Sequence, residues 1–424
     1  VPVPTPLPRR RVAARPRKLA WALVMTVLVA LNLRAAVTSL GPVLPRARTE
    51  LGLGASAASF ATAAPVLCFG LFALVSPWLA KRLGLDRAMA LAVLVLVAGL
   101  FGRPVAGEAA LLVGTVLCCI GIAVANVLLP AVVKERAPNR IGLVTGAYTA
   151  ALAGGSALAA AVSAPLADSF GVRMSLWAWT APALVALVVW VPHLWARQGP
   201  DVTPSRARSD IPEAGTASVW RSPVGWALAG LFGAQATTAY VTMGWLPTLL
   251  QHRGIGETQA GLLLAASILV SVPVSAVVPT MAARRYSQVG LITVLTMSAF
   301  LGLTGLTFAP TWASWAFAAA LGIGNGVFPL TLTLFNIRGR SPSETQSLSA
   351  MGQGVGYLLA AAGPFAFGVV GSMTGDWRLP MFGLLVVVLL QVAAGLVAGR
   401  PRSRPAAPGN ATVVLEAGDR AGSC

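Results

Sequence analysis

Arg34 lies near the middle of an otherwise apolar stretch, residues 19–44, which is long enough to cross a bilayer as a helix. A cation at that depth costs roughly 2.5–3.5 kcal/mol on insertion scales, so it belongs in a polar cavity and performs a task there. The chemistry on offer is anion recognition. A guanidinium presents five donors in a planar fork and stays charged at physiological pH, which suits a planar, delocalised anion or a nitro group. Of the 31 Lys and Arg, Arg34 is the one that cannot be assigned to a loop or tail, whereas all 13 Asp and Glu can. A core cation with no carboxylate partner attracts an anion, and the same lack argues against proton exchange through an embedded carboxylate. His193 falls near a helix end and His252 in an outer loop, so neither serves as a relay. The competing reading of Arg34 is a structural residue paired with helix carbonyls.

Helical spacing puts Arg34, Thr38 and Gly41 on one face, with Asn32 about 200° away and Ser39 beside it, so the two polar faces cannot line the same cavity. Thr38 therefore joins Arg34 as a substrate-binding candidate. Asn126, Tyr240, Gln353 and Tyr357 complete the first set of candidates; Asn32, Tyr148, Gln235 and Asn325 form a second. Amides and phenols orient small polar solutes in mostly apolar pockets, but each could equally make an interhelical hydrogen bond worth about 0.6 kcal/mol. No metal-ligand cluster, catalytic triad or CxxC pair occurs, so neither a cofactor, a metal nor an enzymatic reaction is expected. Gly142, Gly146, Ala150 and Gly154, like Gly352, Gly356 and Ala360, recur every four residues and read as packing ladders between helices.

These residues need an all-helical membrane scaffold to position them. The chain has 424 residues, 56% hydrophobic and 10% charged, with a mean hydropathy of +0.76, which excludes an ordinary soluble enzyme. Twelve apolar stretches are expected to span: 19–44, 55–80, 87–103, 109–133, 141–166, 174–196, 222–250, 258–282, 288–309, 311–335, 345–372 and 379–398. The basic start followed by an apolar run resembles a signal peptide, yet the run is too long and lacks a cleavage site, so it reads as a retained first helix. The net charge of +18 follows topology: 24 Lys and Arg fall on the side of the termini and six on the other. That bias is the positive-inside rule, which puts both termini in the cytoplasm of a cytoplasmic-membrane protein and leaves no role for nucleic acid. Segments 1–18 and 399–424 read as disordered tails, and the polar stretch 197–221 as a cytoplasmic linker between halves 19–196 and 222–398. Cys68, Cys118 and Cys119 lie within spans and Cys424 in the tail, so no disulfide framework is expected.

The halves repeat. Leu44–Arg82 aligns without a gap on Leu246–Arg284 at an offset of 202, with 12 of 39 pairs identical, among them Gly52 with Gly254, Gly54 with Gly256, and Pro77 with Pro279. Parallel six-helix repeats with a site between them at the midplane resemble the Major Facilitator architecture. The superfamily's loop between helices two and three is matched in part by Pro77-Trp-Leu-Ala-Lys81-Arg82-Leu-Gly84, followed by Asp86, and Lys81 stands where an Asp is usual. Lys81, Arg82 and Asp86 are thus the gating-loop candidates, with any Asp-based gating pair in doubt.

A closer resemblance is carried by Asn32-Leu-Arg-Ala-Ala-Val-Thr-Ser-Leu-Gly-Pro-Val-Leu-Pro45, by Gly121-Ile-Ala-Val-Ala-Asn-Val-Leu-Leu-Pro130 and by Trp245-Leu-Pro247. Gly254, Ala260-Gly261 and Ser349-Ala-Met-Gly-Gln-Gly-Val-Gly-Tyr357 continue it. Together these blocks resemble the cyanate and 2-nitroimidazole transporter family (CynX/NimT-like). The resemblance implies a monomeric secondary transporter moving a small anionic or nitro-type solute by alternating access, its coupling ion unknown. The alternative within transporters is multidrug efflux.

Overall fold

The computed structural model describes residues 16–72, 75–105, 107–137, 140–191, 219–339 and 342–400, and every regular element among them is helical. The expected tails and the linker 197–221 fall largely outside these residues. The first half contains α1 (Pro16–Thr38), α2 (Leu40–Glu50), α3 (Ala55–Phe72), α4 (Ser76–Leu83), α5 (Leu85–Gly102), α6 (Gly107–Arg136), α7 (Ile141–Ala178) and α8 (Thr180–Trp190). The second contains α9 (Pro223–His252), α10 (Glu257–Arg284), α11 (Val289–Phe308), α12 (Ser314–Gly324), α13 (Val327–Arg338), α14 (Pro342–Thr374) and α15 (Arg378–Ala398).

Among the described residues, nine helical stretches are long and apolar enough to cross a membrane, and the pair α1–α2, bent by 47°, makes a tenth. The bend has a local cause: the ring of Pro42 cannot sit under the carbonyl of Thr38 four residues back, and the helix breaks between Thr38 and Leu40. One of the nine, Leu143–Trp190, is two legs. Gly171 at φ 81° turns the chain, and Ser175 then donates to the Ser163 carbonyl at 2.6 Å while Trp179 donates to the Ser163 hydroxyl at 3.2 Å. The remaining leg, α9, owes its lower apolarity to Gln235, Thr237, Thr238, Tyr240 and Thr242. The legs thus agree with the twelve expected spans. The expected tenth span is interrupted at Asn325-Gly326, between α12 and α13.

The 202-residue repeat is visible in the backbone. Gly52 at φ 70° and Gly254 at φ 82° occupy the same turn in each half, a left-handed conformation that only glycine adopts without strain. The halves meet where α3 packs on α14 and α7 on α10, and α2 packs against α9. At two points the approach is backbone on backbone: a Cβ on Gly41 would overlap the Met243 carbonyl, and one on Gly261 the Ala160 carbonyl.

Closure is concentrated at the face away from the termini. There Arg46 donates to Glu257 at 2.7 Å and to Asp168 at 2.6 Å, Gln251 donates to the Pro42 carbonyl at 3.1 Å, and Arg48 reaches the Ser372 hydroxyl at 3.4 Å. On the opposite face each half packs on itself, α4 against α5 and α6, and α13 against α9, α10, α11 and α14. Asp86 accepts from Arg136 within the first half, and Arg82 stacks over Trp78 at 4.8 Å, while Lys81 is exposed.

The ladder expected on α7 is not a packing face. A Cβ on Gly146 or Gly154 would meet nothing within 4 Å, and it is Gly155 whose backbone lies against the Leu31 carbonyl of α1. The ladder on α14 does pack, Gly352 against Phe335 and Gly356 against Phe232 and Gly233.

Candidate functional site

Between the halves lies a cavity of about 190 Å³. Arg34 enters it from α1, just below the bend, and Thr149, Leu152 and Ser156 come from α7. From the second half, α9 supplies Gln235, Tyr240, Thr242 and Met243, and α10 supplies Ser267, Ser271 and Ser275. Asn325 and Phe328 flank the break between α12 and α13, and Tyr357 comes from α14. Drug-sized ligands occupy roughly 300–1,000 Å³, so this space suits a small solute.

Arg34 is half-buried, and no acidic side chain pairs with it among the described residues. Tyr240 and Tyr357 line the same cavity. Phe69 holds those two rings apart, edge-on at 6.0 Å from Tyr240 and 5.8 Å from Tyr357, and Phe232 braces Tyr357 at 5.0 Å. Tyr240 is 4% exposed and its buried hydroxyl has no hydrogen-bond partner. Opposite stands an amide chain. Gln235 donates to Asn325 at 3.4 Å, and Gln391 donates to Gln235 at 3.2 Å and to the Thr296 hydroxyl at 3.1 Å, which fixes the wall amides from behind. One fixed cation, the Tyr357 phenol and a pair of oriented amides can grip a compact solute bearing negative charge or strong dipoles.

The structure thus brings together Arg34, Tyr240, Tyr357, Gln235 and Asn325 of the expected site. Thr38 is spent elsewhere: its hydroxyl bonds the Arg34 carbonyl at 3.0 Å and the Ser156 hydroxyl at 2.6 Å, tying α1 to α7. Asn32 donates to the Leu28 and Pro182 carbonyls at 2.8 and 3.2 Å and so joins α1 to α8. Gln353 bonds the Ser349 hydroxyl at 2.8 Å along its own helix, Tyr148 packs beside Val133, Ala137 and Val144, and Asn126 does not line the cavity. The serines of α10 were missed, although Ser267, Ser271 and Ser275 recur every four residues on an apolar helix and mark one polar face.

Arg103 corrects the expectation that Arg34 is the sole charge inside the bundle. Assigned to an outer loop, it is only 2% exposed, and its guanidinium turns inward to donate to the Ala36 carbonyl at 2.8 Å. Gly114 makes room, since a Cβ there would meet the Arg103 backbone at 2.6 Å.

Two six-helix repeats, closed against each other at one face and enclosing a mostly apolar cavity with a few polar groups at their seam, have the architecture of a secondary transporter. Residues 23–364 match the Major Facilitator Superfamily, and the chain belongs to it, within the cyanate and 2-nitroimidazole (CynX/NimT-like) transporter family. It is 32% identical over 378 residues to the 2-nitroimidazole transporter of Escherichia coli, an overlap of 89% of this chain and 94% of that one. It is also 32% identical over 378 residues to the cyanate transport protein CynX of the same bacterium, covering 87% and 96%. A D-xylose–proton symporter superposes with a TM-score of 0.73 at 15% identity over 90% of this chain and 98% of its own, a likeness of fold alone.

Proposed function

We propose that this transporter moves a small anionic or nitro-type solute of the cyanate or nitroimidazole kind, with Arg34 as its principal anchor. The observation that carries the reading is Arg34 itself, facing a cavity of about 190 Å³ at the seam with no carboxylate among the described residues to neutralise it. Taking an anion there supplies the missing counter-charge, whereas an organic cation meets like-charge repulsion and desolvation together. Tyr357 lines the same cavity with its phenol, and the hydrogen-bonded Gln235–Asn325 pair offers amides to orient the solute. The volume weighs against multidrug efflux, which needs a larger and more adaptable space. The site is complete within one chain, consistent with a monomer.

The 24-to-6 distribution of Lys and Arg supports an orientation with both termini and the 197–221 linker on the cytoplasmic side of a cytoplasmic membrane. In that orientation the face closed by Arg46, Glu257 and Gln251 is the outer one. Counterflow in proteoliposomes with cyanate, nitrate, short carboxylates, 2-nitroimidazole and organic cations tests the reading. Exchange of one or more anionic or nitro solutes is expected, abolished in Arg34→Ala. Exchange confined to organic cations overturns it.

A further inference from the structure

We propose that a second anion site lies behind Tyr240, centred on Arg103, and that it holds one halide-sized monovalent anion which favours the closed face. A separate small cavity of about 20 Å³ is bounded there by Arg103, Thr115 and Tyr240, with the α1–α2 hinge on one side and Met243-Gly244 on the other. That volume admits one water or one monatomic ion. Three buried side-chain atoms around it lack hydrogen-bond partners: Arg103 Nε, Thr115 Oγ1 and Tyr240 Oη, on residues 2%, 5% and 4% exposed. All three can donate. Among the described residues lining the cavity Arg103 alone is charged, and one of its nitrogens is already committed to the Ala36 carbonyl at 2.8 Å. A desolvated cation surrounded by unmet donors is satisfied by an anion in both respects, whereas a water would answer the donors and leave the charge.

The walls of this cavity come from both halves, Arg103, Thr115 and the α1–α2 hinge from the first, Tyr240, Met243 and Gly244 from the second. They meet where the Gly41 backbone lies against the Met243 carbonyl, a contact between the halves that separating them at this face would break. An ion bound across the seam therefore binds the closed form and shifts the population toward it. The inference stands apart from the identity of the transported solute.

The test is thermal unfolding of the purified full-length protein in chloride against gluconate at constant ionic strength, followed by anomalous scattering from bromide-grown crystals. A saturable rise of the midpoint with chloride or bromide is expected, with bromide density beside Arg103. Thr115 does not line the central cavity, so Thr115→Val should keep the gluconate midpoint while weakening the apparent halide affinity about tenfold, the effect of losing one hydrogen bond to a charged group. Arg103→Gln should remove the response, and Arg34→Ala should keep it. No halide response in the wild type would mean that the cavity holds water and would overturn the proposal. A response lost in Arg34→Ala but intact in Thr115→Val would also overturn it, by moving the ion to the central cavity. An intact Arg103-dependent response alongside exchange confined to organic cations would sink the substrate reading alone.

Discussion

Truncating Arg34 to Ala isolates the anchor because the structure leaves nothing else behind to complicate the result. A bidentate guanidinium grip on an anionic or nitro group is worth about 2–3 kcal/mol net in a half-buried site, by the usual scale of hydrogen bonds to charged groups. At 1.4 kcal/mol per tenfold, solute affinity should fall by roughly 30–150-fold. This estimate carries no penalty for an orphaned counter-ion, since no acidic side chain pairs with Arg34 among the described residues. Removing a cation from bilayer depth also removes an insertion cost of roughly 2.5–3.5 kcal/mol, so folding and membrane yield should hold or improve. Arg34→Lys keeps the charge and loses the fork, so its affinity should lie between the two. Isothermal titration with the solute found by counterflow gives the affinities, and size-exclusion profiles of the detergent-purified variants give the folding control. Normal affinity in a variant that aggregates would refute the argument and make Arg34 structural.

Three further outcomes follow from the closed face and the topology. At the Arg46 cluster, burial pushes the Glu257 carboxyl up and Arg46 pulls it back only in part, while the Arg46 guanidinium is held charged first by its bond to Asp168. With 30% and 16% of their side chains exposed, the Arg46–Glu257 pair is only partly desolvated, so Arg46→Ala should weaken closure by about 1–2 kcal/mol, whereas Glu257→Gln, which mimics the neutral carboxyl, should leave closure intact. Because the Glu257 pKa is raised in the closed form, its contribution to closure is full below the ordinary carboxylate range and lost as pH rises through the raised value; thiol labelling of Thr248→Cys, buried at the closed seam, should increase with pH across that range, and a pH-independent rate in the parent that Glu257→Gln leaves unchanged would contradict this. Gly41→Val should prevent closure, because its side chain would occupy the space of the Met243 carbonyl, and should leave Thr248→Cys labelled rapidly from outside at every pH. Asp210→Cys, on a background lacking the native cysteines, should be labelled only from the cytoplasmic side; labelling from outside intact cells would overturn the assigned orientation.

Hydropathy and charge alone determined the membrane class and the twelve legs, because both report transfer free energies that depend on residue type and position along the chain, and the repeat was legible in identical residues at a fixed offset. The left-handed Gly52 and Gly254 were likewise legible as a matched pair 202 residues apart. Arg34 was legible for the same reason: a charge in the middle of an apolar run is conspicuous in any window. Arg103 was not, since it sits at the end of its helix, where a count along the chain cannot tell a side chain that turns inward from one that reaches water. Which polar residues face the solute was also decided only in three dimensions. Thr38 and Arg34 lie one turn apart on one face, yet Thr38 bonds Ser156 while Arg34 reaches the cavity. Gly154 and Gly155 are neighbours, and only the rotation of α7 decides that Gly155 meets the Leu31 carbonyl. Helical spacing fixes which residues share a face, but the face that meets a neighbour, a cavity or lipid is set by how six helices from each half rotate to bury their small residues and satisfy their polar groups together.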